Sequence, residues 1–165
     1  MNTRRCSFAF CSKLHESKNI DIDSEEYTRR GSQYYHTDCV KISDTIKEMR
    51  DLWFQNIDEN VDFRILNRVV SDLIFNKGYS ADYILFCIRY SIENGNRLRF
   101  PPGLRYCVEF DNYKSAYNLE KKQEILAKEK DKNNRFEEEA VKQMQIKPRT
   151  KQKQFGFGSI LRGTT

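Results

Sequence analysis

Residues 34–39 read Tyr34-Tyr35-His36-Thr37-Asp38-Cys39, and the His-x2-Cys pair inside them decides how the first module of this chain folds. A two-residue gap lets a turn, or the first turn of a helix, present an imidazole and a thiolate to one metal ion. Upstream, across 24 intervening residues, stands a second pair, Cys6-x4-Cys11. Its spacing is looser than the usual Cys-x2-Cys knuckle, yet inside the range of roughly two to four residues that zinc fingers use. Thiolates and a neutral imidazole are the ligands Zn2+ prefers, and four of them close a tetrahedral structural site. The expectation is one structural Zn2+ held by Cys6, Cys11, His36 and Cys39. His15 follows Cys11 closely, so a Cys6, Cys11, His15, Cys39 set is the internal alternative. His36 is preferred because its pairing with Cys39 is local and two aromatics precede it, placed to pack beneath the knuckle.

The stretch between the pairs, residues 13–33, is polar and charged, with Leu14, Ile20, Ile22 and Tyr27 as its few apolar residues. It cannot build a core of its own, so a metal there would supply folding energy. Four saturating ligands with no carboxylate in a motif beside them read as a staple rather than a reactive centre. The five cysteines are an odd number, and MNTRRCSFAFCSKLHES has no apolar stretch long enough for a signal peptide. A reducing, cytoplasmic setting is expected, where spaced cysteines bind metal more often than they pair. Cys87 and Cys107 sit in apolar periodic segments and read as buried free thiols. No run approaches the ~18 apolar residues of a membrane span.

From Val40 the pattern turns helical. Ile42, Ile46, Met49 and Trp53 mark one face of an amphipathic helix, broken over residues 56–60. A second helix is expected from Asp62 to Lys77, with Ile65, Val69 and Leu73, and their neighbours Leu66, Val70 and Ile74, as a broad apolar stripe. Ser80 caps a third, Ala81 to Asn94, with Ile84, Leu85, Ile88 and Ile92 inward. After the Phe100-Pro101-Pro102-Gly103 turn a fourth starts near Leu104 and buries Cys107, Val108 and Phe110. The fold class is mainly α: a small treble-clef-like knuckle of short strands plus a helix (1–42), a small helical bundle (43–118), a charged arm, helical or disordered (119–146), and a flexible basic tail (147–165).

The order Cys…Cys, polar loop, aromatic-aromatic-His-x2-Cys, then helix resembles the treble-clef, LIM-like and PARP-type zinc fingers, from which the x4 spacing of Cys6 and Cys11 departs. Over residues 1–119 the chain more closely resembles small zinc proteins of phages and low-GC Gram-positive bacteria, in which a Tyr-Tyr-His-x2-Cys module precedes a short helical domain and a Lys-rich tail. Residues 62–117 are also similar in layout to the C-terminal helical module of DnaD-type replication proteins, although the closing motif survives only as Tyr106 and Phe110. That resemblance implies DNA or a replication partner.

The net charge of +5 is uneven: residues 1–119 hold 17 basic and 17 acidic residues, and residues 120–165 hold 12 and 7. Such a basic tail on a neutral body points to a polyanionic partner. The residues read as contacting nucleic acid are Arg4, Arg5, Arg29 and Arg30 around the knuckle and Lys147, Arg149, Lys151 and Lys153 in the tail. Arg97, Arg99 and Arg105 bracket the Pro-Pro turn. A protein partner is the alternative, taken up by the apolar island Phe155, Phe157, Ile160 and Leu161. No Walker-type loop and no nucleophile elbow is present, so neither catalysis nor a small-molecule substrate is expected.

Overall fold

The structure, a computed structural model, describes residues 2–95 and 98–145, with the side chains of residues 133 and 136–145 left undescribed. Lys147, Arg149, Lys151, Lys153, Phe155, Phe157, Ile160 and Leu161, and with them the expected flexible tail, lie outside the described residues, as does Arg97. The chain divides into two compact units, residues 1–121 and 122–165.

The first unit is mainly helical with a small β region at its start. Strand β1 (Thr3–Arg5) pairs antiparallel with β2 (Asn19–Asp21), and β3 (Tyr27–Arg30) pairs antiparallel with β4 (Gln33–His36). Gly31 turns the second hairpin at φ +61°, a left-handed conformation that glycine enters without steric cost. Helix α1 (Thr37–Asn56) starts directly after β4 and runs unbroken through residue 42. The last cysteine of the knuckle and the first apolar face of the bundle therefore lie on one helix.

Helix α2 (Phe63–Phe75) begins where Asp62 accepts a hydrogen bond from the Arg64 amide. It ends at the C-cap Asn76, and just beyond it Gly78 turns left-handed, with the Tyr79 amide donating to the Leu73 carbonyl at 3.0 Å. Ser80 caps α3 (Ala81–Glu93) by accepting from the Tyr83 amide at 3.2 Å. Met49 and Trp53 of α1, Leu66, Val70 and Leu73 of α2, and Ile84, Cys87 and Ile88 of α3 make one solvent-free core with Leu104 and Val108. Arg89 of α3 and Glu48 of α1 pair across its surface. Among the described residues no helix is long and apolar enough to cross a membrane.

Three expectations are corrected. The fourth helix is two: α4 (Leu104–Cys107) stops within a turn, and α5 (Asp111–Gln145) starts afresh and carries on as a helical arm. At the break the buried Tyr83 hydroxyl donates to the Val108 carbonyl at 3.0 Å. The restart leaves Phe110 at the surface, 54 % exposed, and Cys107 only half-buried. On α2 the buried stripe runs through Leu66, Val69, Val70 and Leu73, so Ile65 falls at its edge, 45 % exposed.

Truncating Leu73 removes a buried side chain from the centre of this core. Leu73→Ala should cost about 2–5 kcal/mol of unfolding free energy. Trp53, the sole tryptophan and fully buried, reports that loss directly by its fluorescence in a urea titration.

Candidate functional site

Four segments that are remote in sequence bring four ligand atoms together. Cys6 follows β1, where its amide donates to the Lys18 carbonyl at 2.7 Å and it bridges to Tyr34 of β4. Cys11 opens a short 3-10 turn (Cys11–Lys13). His36 ends β4 in extended backbone and stands at the N-cap of α1, which puts Cys39 in that helix's first turn. Cys11 and Cys39 are fully buried, and Cys6 and His36 are 4 % and 8 % exposed.

The thiol sulfurs and a ring nitrogen of these four residues all lie within 4.8 Å of one another. His36 Nδ1 is 3.4 Å from the Cys11 sulfur and 4.0 Å from the Cys39 sulfur. Tetrahedral bonds of about 2.3 Å to sulfur and 2.0 Å to nitrogen require ligand atoms about 3.5–3.8 Å apart. The donor set thus fits one small tetrahedral cation, and all five cysteines are free thiols. Burial, and then the neighbouring Cys6, push the Cys39 thiol far above its ordinary range, and burial also raises Cys11. Burial also holds the His36 imidazole below its usual value, and His15 adds to the effect. Three sulfurs packed this tightly become tenable as thiolates when a cation offsets their charge, and a neutral imidazole is the form that ligates.

The structure separates the two histidines. The His36 ring nitrogen lies with the three sulfurs, and His15 stacks flat on its ring, with centroids 3.9 Å apart and planes 19° from parallel. On its other nitrogen, Nε2, His36 faces Glu25 at 3.7 Å, the kind of carboxylate that orients a ligating imidazole. Nothing in the spacing pointed to Glu25, because its approach depends on the pairing of β3 with β4. Ile20, inside the polar loop, is fully buried beneath the cysteines together with Phe8.

The four knuckle arginines separate as well. In the β3–β4 register Arg29 stands directly opposite Tyr34, and its guanidinium lies 5.6 Å from the centre of that ring. Arg4 of β1 approaches the same ring at 5.8 Å. Tyr27 adds a second ring, 5.8 Å from Tyr34. Arg30, one residue along β3, is held by Asp44 of α1 through two 2.6 Å hydrogen bonds. Arg5 is exposed on β1 without an acidic partner among the described residues. Of the arginines bracketing the Pro-Pro turn, Arg105 pairs with Asp72 at 3.1 Å.

Comparison with protein-family models, with curated proteins and with solved structures finds no match to this chain.

The ligand assignment yields a discriminating pair of variants. His36→Ala should lose the bound metal of the purified protein, and His15→Ala should retain it, as read by elemental analysis. The opposite result would transfer the fourth ligand to His15.

Proposed function

We propose that this is a non-catalytic, zinc-stapled protein whose knuckle presents arginine and tyrosine side chains to single-stranded nucleic acid. The observation that carries the reading is the convergence of Arg4 and Arg29 on Tyr34. Guanidinium groups meet phosphates, and an aromatic face accepts a stacked base whatever its identity. Zinc is the favoured ion because three thiolates and one imidazole form its common structural donor set, with no coordination position left open for chemistry. Cys6, Cys11, His36 and Cys39 would hold it, and it would supply folding energy to hairpins too small to fold alone. The patch depends on that staple: Arg4 stands two residues before Cys6, and Tyr34 stands two before His36.

The resemblance to phage and low-GC Gram-positive zinc proteins belongs to the same proposal. So do a cytoplasmic setting and electrostatic help from Lys147, Arg149, Lys151 and Lys153. A second reading, an adaptor that docks on a host or phage protein, draws support from a different surface. Phe100, Tyr106 and Phe110 line one groove and are each more than half exposed. In that reading Phe155, Phe157, Ile160 and Leu161 serve as a further anchor.

Two measurements follow. A labelled single-stranded oligonucleotide should bind the metal-loaded full chain with an affinity that falls steeply between about 50 and 200 mM salt. The double variant Arg4→Glu/Arg29→Glu should weaken that binding at least about tenfold, and salt-insensitive binding would overturn the electrostatic reading. Stripping the metal with a chelator should disorder the knuckle and bring the wild-type affinity down to that of the double variant. The α2 and α3 helicity should remain visible by far-ultraviolet circular dichroism.

A further inference from the structure

A second cationic surface lies where the knuckle meets α2. Phe10, from the segment between Cys6 and Cys11, stacks on Phe75 of α2, with centroids 5.0 Å apart and planes 27° from parallel. Beside this pair opens a groove of about 710 Å³, walled by Lys13 of the knuckle, Arg64 and Arg68 of α2, and Arg105 of α4. A smaller groove of about 340 Å³ shares Phe10, Asn67 and Ser71 with the first and adds Arg50 of α1. The two form one seam.

Its charge is one-sided. Asp72 is the single carboxylate lining the larger groove, and Arg105 engages it. Lys13, Arg50 and Arg68 have no acidic partner among the described residues, and Arg64 is 91 % exposed in its pairing with Asp62. Elsewhere on the knuckle, the groove of about 650 Å³ beside His15 and His36 has the reverse character, with Glu16, Glu25, Glu26 and Asp38 against Lys41 alone. A polyanion is thus attracted to one side of the knuckle and repelled from the other. Phosphate oxygens are met by several cations along a line, and the half-buried Phe10–Phe75 pair between those cations gives the seam an apolar floor.

We propose that the seam between the knuckle and α2 is the track for the phosphates of a nucleic-acid strand, with Lys13, Arg64 and Arg68 as its central contacts. The proposal rests on the nucleic-acid reading above and adds to it a surface built from residues that lie more than fifty positions apart.

The test uses the metal-loaded full chain and a labelled oligothymidylate, with affinity measured by fluorescence anisotropy across a salt series. Lys13→Gln/Arg68→Gln should weaken binding about tenfold at low salt and reduce the slope of log K against log salt by about 1.4, the loss of two single-strand phosphate contacts. Lys41→Gln/Lys47→Gln removes the same charge from exposed positions of α1 outside the seam and should change the slope little. Arg64→Gln/Arg68→Gln, confined to α2, repeats the measurement with the knuckle sequence untouched, and Trp53 fluorescence and metal content confirm folding in every variant. Equal losses in the seam and control variants would overturn the track by reducing it to net charge. Wild-type binding left unchanged in both seam variants would overturn the track and leave the nucleic-acid reading standing. Absence of wild-type binding would overturn both.

Discussion

Everything in the N-terminal module depends on one requirement: three sulfurs and one imidazole nitrogen must share a space less than 5 Å across without solvent. Hydrogen bonding fixes the approach of each. The Cys6 amide is tied to Lys18, the Ser7 amide to the Tyr34 carbonyl, and the Leu14 and His15 amides both reach the Cys11 carbonyl. Cys39 lies in the first turn of a 20-residue helix, where the unpaired amides and the helix dipole favour a thiolate. Such a cluster is costly unless its charge is compensated. The same burial that raises the thiol pKa values makes a divalent cation the natural counterpart.

The bundle obeys a different rule. Its core is apolar and continuous, and the two buried polar side chains near α5 satisfy each other, with the Ser91 hydroxyl placed between the Cys87 carbonyl and the Tyr113 hydroxyl. The two cores meet through Ile46 of α1 and Phe75 of α2. Metal loss should therefore be felt first in the hairpins, and in the helices through these contacts and through α1, which carries Cys39. This division of labour gives the small module a staple and the larger one a conventional hydrophobic core.

How much of this the sequence disclosed follows the distance over which each feature is decided. The four-residue cluster was readable because His36 and Cys39 are near neighbours and Cys6 and Cys11 keep a finger-like gap. The choice of His36 over His15 rested on the same local logic, and it is the His36 ring nitrogen that lies with the three sulfurs. Helix starts at α2 and α3 were readable from Asp62 and Ser80, whose side chains act within two or three residues. The split between α4 and α5 was not, because no glycine or proline marks it and the Tyr83–Val108 contact beside it spans 25 residues. Arg30 looked equivalent to Arg29 for the same reason: Asp44, which engages it, belongs to a different element.

The balanced charge of residues 1–119, 17 basic and 17 acidic, argues against a large basic face on the body. A zero sum constrains the total and says nothing about placement. On the folded chain Glu16, Glu25, Glu26 and Asp38 gather beside the histidines, while Lys13, Arg64, Arg68 and Arg105 gather against α2. Within a Debye length of about 10 Å a strand senses the local face rather than the total. Under the nucleic-acid proposal the two grooves would orient a polyanion on a neutral body, and the Cys/His cluster, whose Cys11 opens the 3-10 turn that carries Lys13, would fix their arrangement on the knuckle.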